Sequence, residues 1–167
     1  MILSTHAIVG TIIATTFTSN PYIAFSIGFA SHFILDPIPH WDYKLHSFKK
    51  DLEGKLNHDM VLGKTFIVDL MRVGTDAMLG MIISFIIALY VLKVSTLQVI
   101  LASVIGGILP DPLQFVYWKT RSKLLLPLQK FHTWIHGRSL DIHPIYGVPL
   151  QILVVLVFLS VSLIIKK

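Results

Sequence analysis

The stretch IHPIYGVPLQILVVLVFLSVSLII, residues 142–165, contains no Asp, Glu, Lys or Arg and closes on Lys166-Lys167. A helix needs about 20 predominantly apolar residues to cross a bilayer, with about 17 as the lower limit. This run therefore reads as a membrane span by itself. The same signature recurs upstream. Residues 1–35 carry no charged side chain before Asp36, and Thr18-Ser19-Asn20-Pro21 divides them with a turn signal whose proline suits a helix start. The pattern predicts a hairpin of two short helices, 2–17 and 21–36. Residues 77–92 form a third uncharged run, lengthened by an amphipathic lead-in over 64–76. Residues 94–110 form a fourth, ending at Asp111.

Composition agrees. The 167 residues are 54% hydrophobic and 14% charged, with a mean hydropathy of +0.73. A soluble domain carries about 25% charged residues, so the polar side chains are too few to clothe a soluble globule, and disorder is excluded by the same numbers. Cysteine is absent, which removes disulfides, thiolate metal sites and a cysteine nucleophile. Residues 1–17 read as retained structure rather than a cleaved leader, because no basic segment precedes the apolar run and His6 falls inside it. The expected fold is an all-α integral membrane protein, one domain over 1–167 with about five short transmembrane helices. Segments 41–63 and 112–146 are expected as interfacial loops with short amphipathic helices.

Alternating spans place the N-terminus and both loops on one face. That face holds eleven of the fourteen Lys and Arg; the other holds Lys93, Lys166 and Lys167. The positive-inside rule then puts the loop face in the cytoplasm of a prokaryotic-type inner or plasma membrane. The net charge of +5 is thus a topology signal rather than a nucleic-acid footprint, and no nucleic-acid partner is expected. Lys119, Arg121, Lys123 and Lys130, interleaved with Phe115, Tyr117 and Trp118, read as an interfacial belt facing anionic lipid headgroups, and as an aid to recruiting a lipid substrate.

In so apolar a chain each polar residue must be paired or put to use. His6 lies one turn into the first span. His32 and Asp36 form a His-x3-Asp pair, Asp111 follows Gly107-Ile108-Leu109-Pro110, and His132 and His136 form a His-x3-His pair. The five-span topology, built without reference to histidines, puts all six at one membrane face. Residues four apart on a helix project from one side about 5–6 Å apart, so each pair can chelate one ion. Imidazole and carboxylate suit zinc above all, with manganese or iron as alternatives. Six ligands exceed what one four-coordinate ion needs, leaving room for two ions. His40 and Asp42 read as general acid/base candidates or as support for the ligands. His46, His58 and His143 have no partnered spacing and are assigned no part in the site. Asp69, Arg72 and Asp76, at i, i+3 and i+7, form a stripe expected to neutralise itself, with Asp76 as a spare ligand.

Thr5-His6-Ala7, Gly28-Phe29-Ala30-Ser31-His32-x3-Asp36 and Gly107-Ile108-Leu109-Pro110-Asp111 together resemble the small membrane-bound metal-dependent hydrolases. That family includes a bacterial inner-membrane protein that binds a repressor of the DNA-damage response. A more distant likeness is to zinc-dependent phospholipase C and the related single-strand nucleases, all-helical enzymes with His-x3-Asp ligand pairs. The nearest counterpart of the family's His-Arg-Gly-x-Thr-His-Ser element is Phe131-His132-Thr133-Trp134-Ile135-His136-Gly137. The resemblance implies a metal-dependent hydrolase of an ester or phosphoester, with a lipid as its substrate. The alternative is a non-enzymatic membrane protein whose His and Asp residues form interhelical hydrogen bonds or hold a structural metal. An ion transporter is disfavoured, because its polar groups would gather near the bilayer midplane.

Overall fold

The computed structural model describes residues 1–52, 54–94, 96–137 and 142–167, and Lys55 by its backbone alone. Arg138 and the Lys55 side chain, two of the eleven loop-face cations, therefore lie outside the described residues. The first turn forms where its residues demand it. Asn20 Oδ1 accepts the backbone N–H of Tyr22 at 2.8 Å and of Ile23 at 3.4 Å, capping α2 (Pro21–Leu35). Pro21 occupies the first helical turn, where a missing N–H leaves no gap.

α1 (Leu3–Phe17) precedes that turn and is the central helix, with eleven of its fifteen residues buried. It packs against α2, α3 (Lys64–Ile86), α4 (Leu97–Ile108) and α7 (Pro144–Ile165). Its own sequence supplies no side-chain cap. The free N–H groups of its first turn are met from distant elements instead: Gln151 of α7 accepts from Ile2 at 3.3 Å, and Asp76 of α3 accepts from Ser4 at 3.1 Å. Gln151 also donates to the Trp41 carbonyl at 2.9 Å, tying the 41–63 segment to the same end of the bundle.

α3 and α7 are built the other way about. The buried residues of α3 are Asp69, Gly80 and Ser84, and those of α7 are Gly147, Gln151 and Ser162. Both helices turn small and polar residues inward and leave Leu, Ile, Val and Met exposed. This suits helices solvated by lipid, where packing and interhelical hydrogen bonds hold the bundle together. One such bond joins the hydroxyls of Thr16 and Ser162 at 2.6 Å. α3 with its π-helical continuation, Lys64–Val91, and α7 are each long and apolar enough to cross a membrane. α4 and α5 (Pro110–Thr120) form a further candidate bent by 45°. α1 and α2 have fifteen residues each, about 22 Å at 1.5 Å per residue, short of the hydrocarbon thickness.

Glycines bring α1, α2 and α4 into backbone contact. A Cβ on Gly28 would lie 2.3 Å from the Ser103 carbonyl oxygen, and one on Gly106 would lie 2.3 Å from that of Phe25. A Cβ on Gly107 would meet the His6 carbonyl at 2.8 Å. No larger residue fits this seam.

The 41–63 segment holds a short antiparallel pair, β1 (Phe48–Lys49) with β2 (Asp59–Met60). Between 112 and 146 lie most of α5 and the whole of α6 (Leu126–His136), followed by the start of α7. Two sequence expectations need correction here. The Asp69–Arg72–Asp76 stripe does not neutralise itself. Asp69 Oδ2 accepts both the N–H and the hydroxyl of Ser47 at 2.7 Å, Arg72 donates to the Lys44 carbonyl at 3.0 Å, and Asp76 caps α1. The α3 surface packs against loop and helix ends that outcompete a solvent-exposed ion pair. The basic belt is also partly spent internally. Lys119 pairs with Asp59 at 2.7 Å, and Arg121 donates to the carbonyls of Leu56, Asn57 and His58 at 2.6–3.0 Å, pinning the loop to the end of α5.

Candidate metal centre

The glycine seam delivers the site. Gly107 approaches α1 at His6 because it has no side chain, and its carbonyl accepts a hydrogen bond from His32 Nδ1 at 2.9 Å. That bond fixes the tautomer: with the proton on Nδ1, His32 Nε2 carries its lone pair outward. Asp36, one turn further and at the C-terminal end of α2, faces the same side. Pro110 starts α5 directly after α4 and places Asp111 in its first turn, while α6 brings in His132.

These residues come from four helices and meet. Asp36 Oδ1 lies 3.3 Å from His6 Nε2; its Oδ2 lies 3.4 Å from His32 Nε2 and 3.1 Å from His132 Nε2. Asp111 Oδ1 is 3.5 Å from His32 Nε2 and 3.6 Å from His132 Nε2. The His6 and His32 rings stack with centroids 3.8 Å apart. His6, His32, Asp36 and His132 are each no more than 1% exposed. Their facing atoms, His6 Nε2, His32 Nε2, His132 Nε2 and both oxygens of Asp36, have no hydrogen-bond partner.

That combination is chemically specific. A buried carboxylate without a hydrogen bond is several kcal/mol unfavourable unless a cation compensates it. Four of the five separations run past the 2.7–3.2 Å of a good N–H···O bond, the exception being His132 Nε2 to Asp36 Oδ2 at 3.1 Å. They match the edge of a tetrahedron whose metal–ligand bonds are about 2 Å, roughly 3.3 Å. The residues therefore fit a divalent metal ion: buried His and Asp atoms here could hold one, as His6–His32–Asp36 and His32–Asp111–His132.

Of the six ligands expected from the sequence, His6, His32, Asp36, Asp111 and His132 come together. His136 stands apart from these five, in another group that could itself hold an ion. It shares that group with His40 and Asp42, their ligand atoms within 4.8 Å of one another, and its ring centroid is 6.2 Å from that of His132. Four residues advance a helix by about 400°, so the pair diverges by about 40°; His132 enters the bundle, while His136 at the last turn of α6 reaches the 41–63 loop. His40 Nδ1 donates to the Ile38 carbonyl at 2.7 Å, and its Nε2 lies 2.6 Å from the Met1 nitrogen. Burial pushes the His40 imidazole below its usual range, so it stays neutral near pH 7. The Met1 nitrogen is also 3.5 Å from Asp42 Oδ2 and 3.9 Å from Asp36 Oδ1, between the two groups.

Three roles escaped the sequence reading. Gln151, which belongs to no spacing motif, and Asp76, expected only in a self-neutralising stripe or as a spare ligand, anchor the first turn of α1, and hence His6. His143 also has a task, accepting the Ile145 N–H at 3.4 Å as the cap of α7. Only the rule that intramembrane polar groups have partners could have flagged them. No protein-family model, curated protein or solved structure matches this chain.

Proposed function

We propose that this chain is a membrane-embedded metal-dependent hydrolase that cleaves an ester or phosphoester bond of a lipid. One observation carries the reading: five nitrogen and oxygen atoms of four buried residues face one another with no hydrogen-bond partner. His6, His32, Asp36, Asp111 and His132 would hold the ion, and zinc is the metal that three imidazoles and carboxylates suit best. A divalent ion held there supplies Lewis acidity toward a carbonyl or phosphoryl oxygen and acidifies water at the site. Asp111, with a side chain 35% exposed, leaves that edge open to substrate. His40 or Asp42, which lie in one group with His136, would take and return the proton.

The finer membrane arrangement belongs to the same proposal. Five spans, with α1, α2 and α4 crossing beside α3 and α7, put the site at the cytoplasmic face of an inner or plasma membrane. The uneven distribution of Lys and Arg supports that orientation. Short α1 and α2 fit a locally thinned bilayer. The likeness to membrane-bound metal-dependent hydrolases points the same way.

The test starts from protein purified in detergent. Elemental analysis should find a stoichiometric divalent metal that is lost in His32→Ala, and a panel of ester and phosphoester lipids should contain a substrate. His40→Gln or Asp42→Asn should keep the metal and lose turnover. Metal retained in His32→Ala would refute the ligand set. A bound metal with every coordination position filled by side chains would make the ion structural and end the hydrolase reading.

A further inference from the structure

Two chambers meet beside the metal centre. The first, about 640 Å³, is walled by Phe66, Leu70 and Val73 of α3, Phe115 of α5, and Phe48 and Met60 of the hairpin. Phe66, Leu70 and Val73 fall at i, i+4 and i+7, one face in the first third of a helix long enough to span a membrane. Phe66 stacks on Phe115 with centroids 5.3 Å apart. At its inner end this apolar chamber reaches Asp42, Asp111 and His136. The second, about 680 Å³, is lined instead by His40, Lys50, His58 and Thr133, and it too reaches Asp42 and His136.

The shared wall is Asp42, Phe48, Gln114, Trp118 and His136. The indole N–H of Trp118 is buried and has no acceptor among the described residues. Each chamber is large enough for a small organic ligand, but neither suits the whole of a one-character molecule. A wholly polar substrate leaves the phenylalanine wall in water; a wholly apolar one offers no acceptor to Lys50 or to the Thr133 hydroxyl hydrogen. The chemistry changes once, at the wall the two chambers share.

We infer that the site takes a single-tailed amphiphile with a phosphorylated headgroup, its tail in the Phe66–Leu70–Val73–Phe115 chamber and its headgroup in the Lys50–His58–Thr133 chamber. Lys50 and the Thr133 hydroxyl are donors for phosphate oxygens, and the Trp118 N–H is a third at the junction. Leu70 in the wall of the tail chamber is 56% exposed on α3, which gives the tail a way in from the membrane side. Each methylene removed from water contributes about fourfold in affinity, so the tail dominates binding. This assignment rests on the hydrolase reading for what happens at the junction, and not for the two-chamber binding itself.

The experiment uses the full chain in phosphatidylcholine nanodiscs and a long-chain alkyl phosphate with a diazirine at the tail end. After irradiation, peptide mapping should place the label on residues 64–73 and 110–118, and excess unlabelled alkyl phosphate should remove it. Inorganic phosphate at the same concentration should not. Val73→Trp, which fills the chamber, should reduce labelling at least fivefold, and Phe115→Trp provides the same obstruction from the opposite wall. Label confined to outward residues of α7 such as Leu153 and Leu156, or insensitive to the competitor, would overturn the inference. Metal content is read on the same samples. Chamber labelling without bound metal would sink the hydrolase reading and leave the amphiphile site standing; bound metal without chamber labelling would do the reverse.

Discussion

Replacing Gly28 by alanine should weaken the metal centre from one helical turn away. The new Cβ would sit 2.3 Å from the Ser103 carbonyl oxygen and 3.1 Å from the Gly107 nitrogen, where ordinary contact begins at 3.4 Å. Both obstacles are backbone, so no side chain can swing aside, and α4 must retreat by about 1 Å. Overpacking of this kind costs about 1–3 kcal/mol, while alanine's better helix propensity returns about 1 kcal/mol. The net loss is up to about 2 kcal/mol, or up to roughly 8 °C in melting temperature for a chain of this length. The retreat has a second effect. His32 lies on the same face of α2 as Gly28, and its Nδ1 bond to Gly107 is 2.9 Å long. A shift of about 1 Å takes that bond out of hydrogen-bond reach. Losing such a supporting bond typically weakens metal affinity about 10–100-fold. Thermal unfolding of chelator-treated protein reads the first effect, and zinc competition titration reads the second. Gly74→Ala is the control: no atom lies within 4 Å of its Cβ, so the same change in α3 should stabilise by up to about 1 kcal/mol. Gly28→Ala protein with unchanged melting temperature and zinc affinity would refute the packing argument.

Three further outcomes are expected. Asp36→Ala should lose metal and thermal stability together, since a ligand bond made only in the folded state adds to stability; His143→Ala should keep the metal and lose only the α7 cap, about 1 kcal/mol by thermal melt. Ser47→Ala removes the hydroxyl donor to buried Asp69 and should destabilise by about 1–3 kcal/mol in denaturant titration, with metal content unchanged. Because the chain has no cysteine, a single cysteine at position 46 should react with an impermeant maleimide only from the cytoplasmic side, and one at 167 only from outside; labelling of both from one side would end the five-span arrangement.

The sequence by itself determined the all-helical character, the Asn20-Pro21 turn and five of the residues that the fold gathers into one cluster, His6, His32, Asp36, Asp111 and His132. Each rests on local information: uncharged runs, a capping residue, and the high cost of a polar side chain in an apolar segment. Spacing on one helix also found His32 with Asp36, because both belong to α2 and share its face. The same rule failed for His132 and His136. Whether an i, i+4 pair closes on one ion depends on what stands opposite it, and here Asp36 of α2 stands opposite His132 while His40 and Asp42 stand opposite His136. Tertiary structure alone decided that Asp69 turns to Ser47, that Asp76 and Gln151 cap α1, and that Lys119 and Arg121 hold a loop. These are contacts between residues up to about 150 positions apart, and nothing in the chain's periodicity encodes them. The two chambers arise the same way. The first is the space left among α3, α5 and the hairpin, the second the space left among α5, α6 and the hairpin, and the shape of each gap is set by three elements at once.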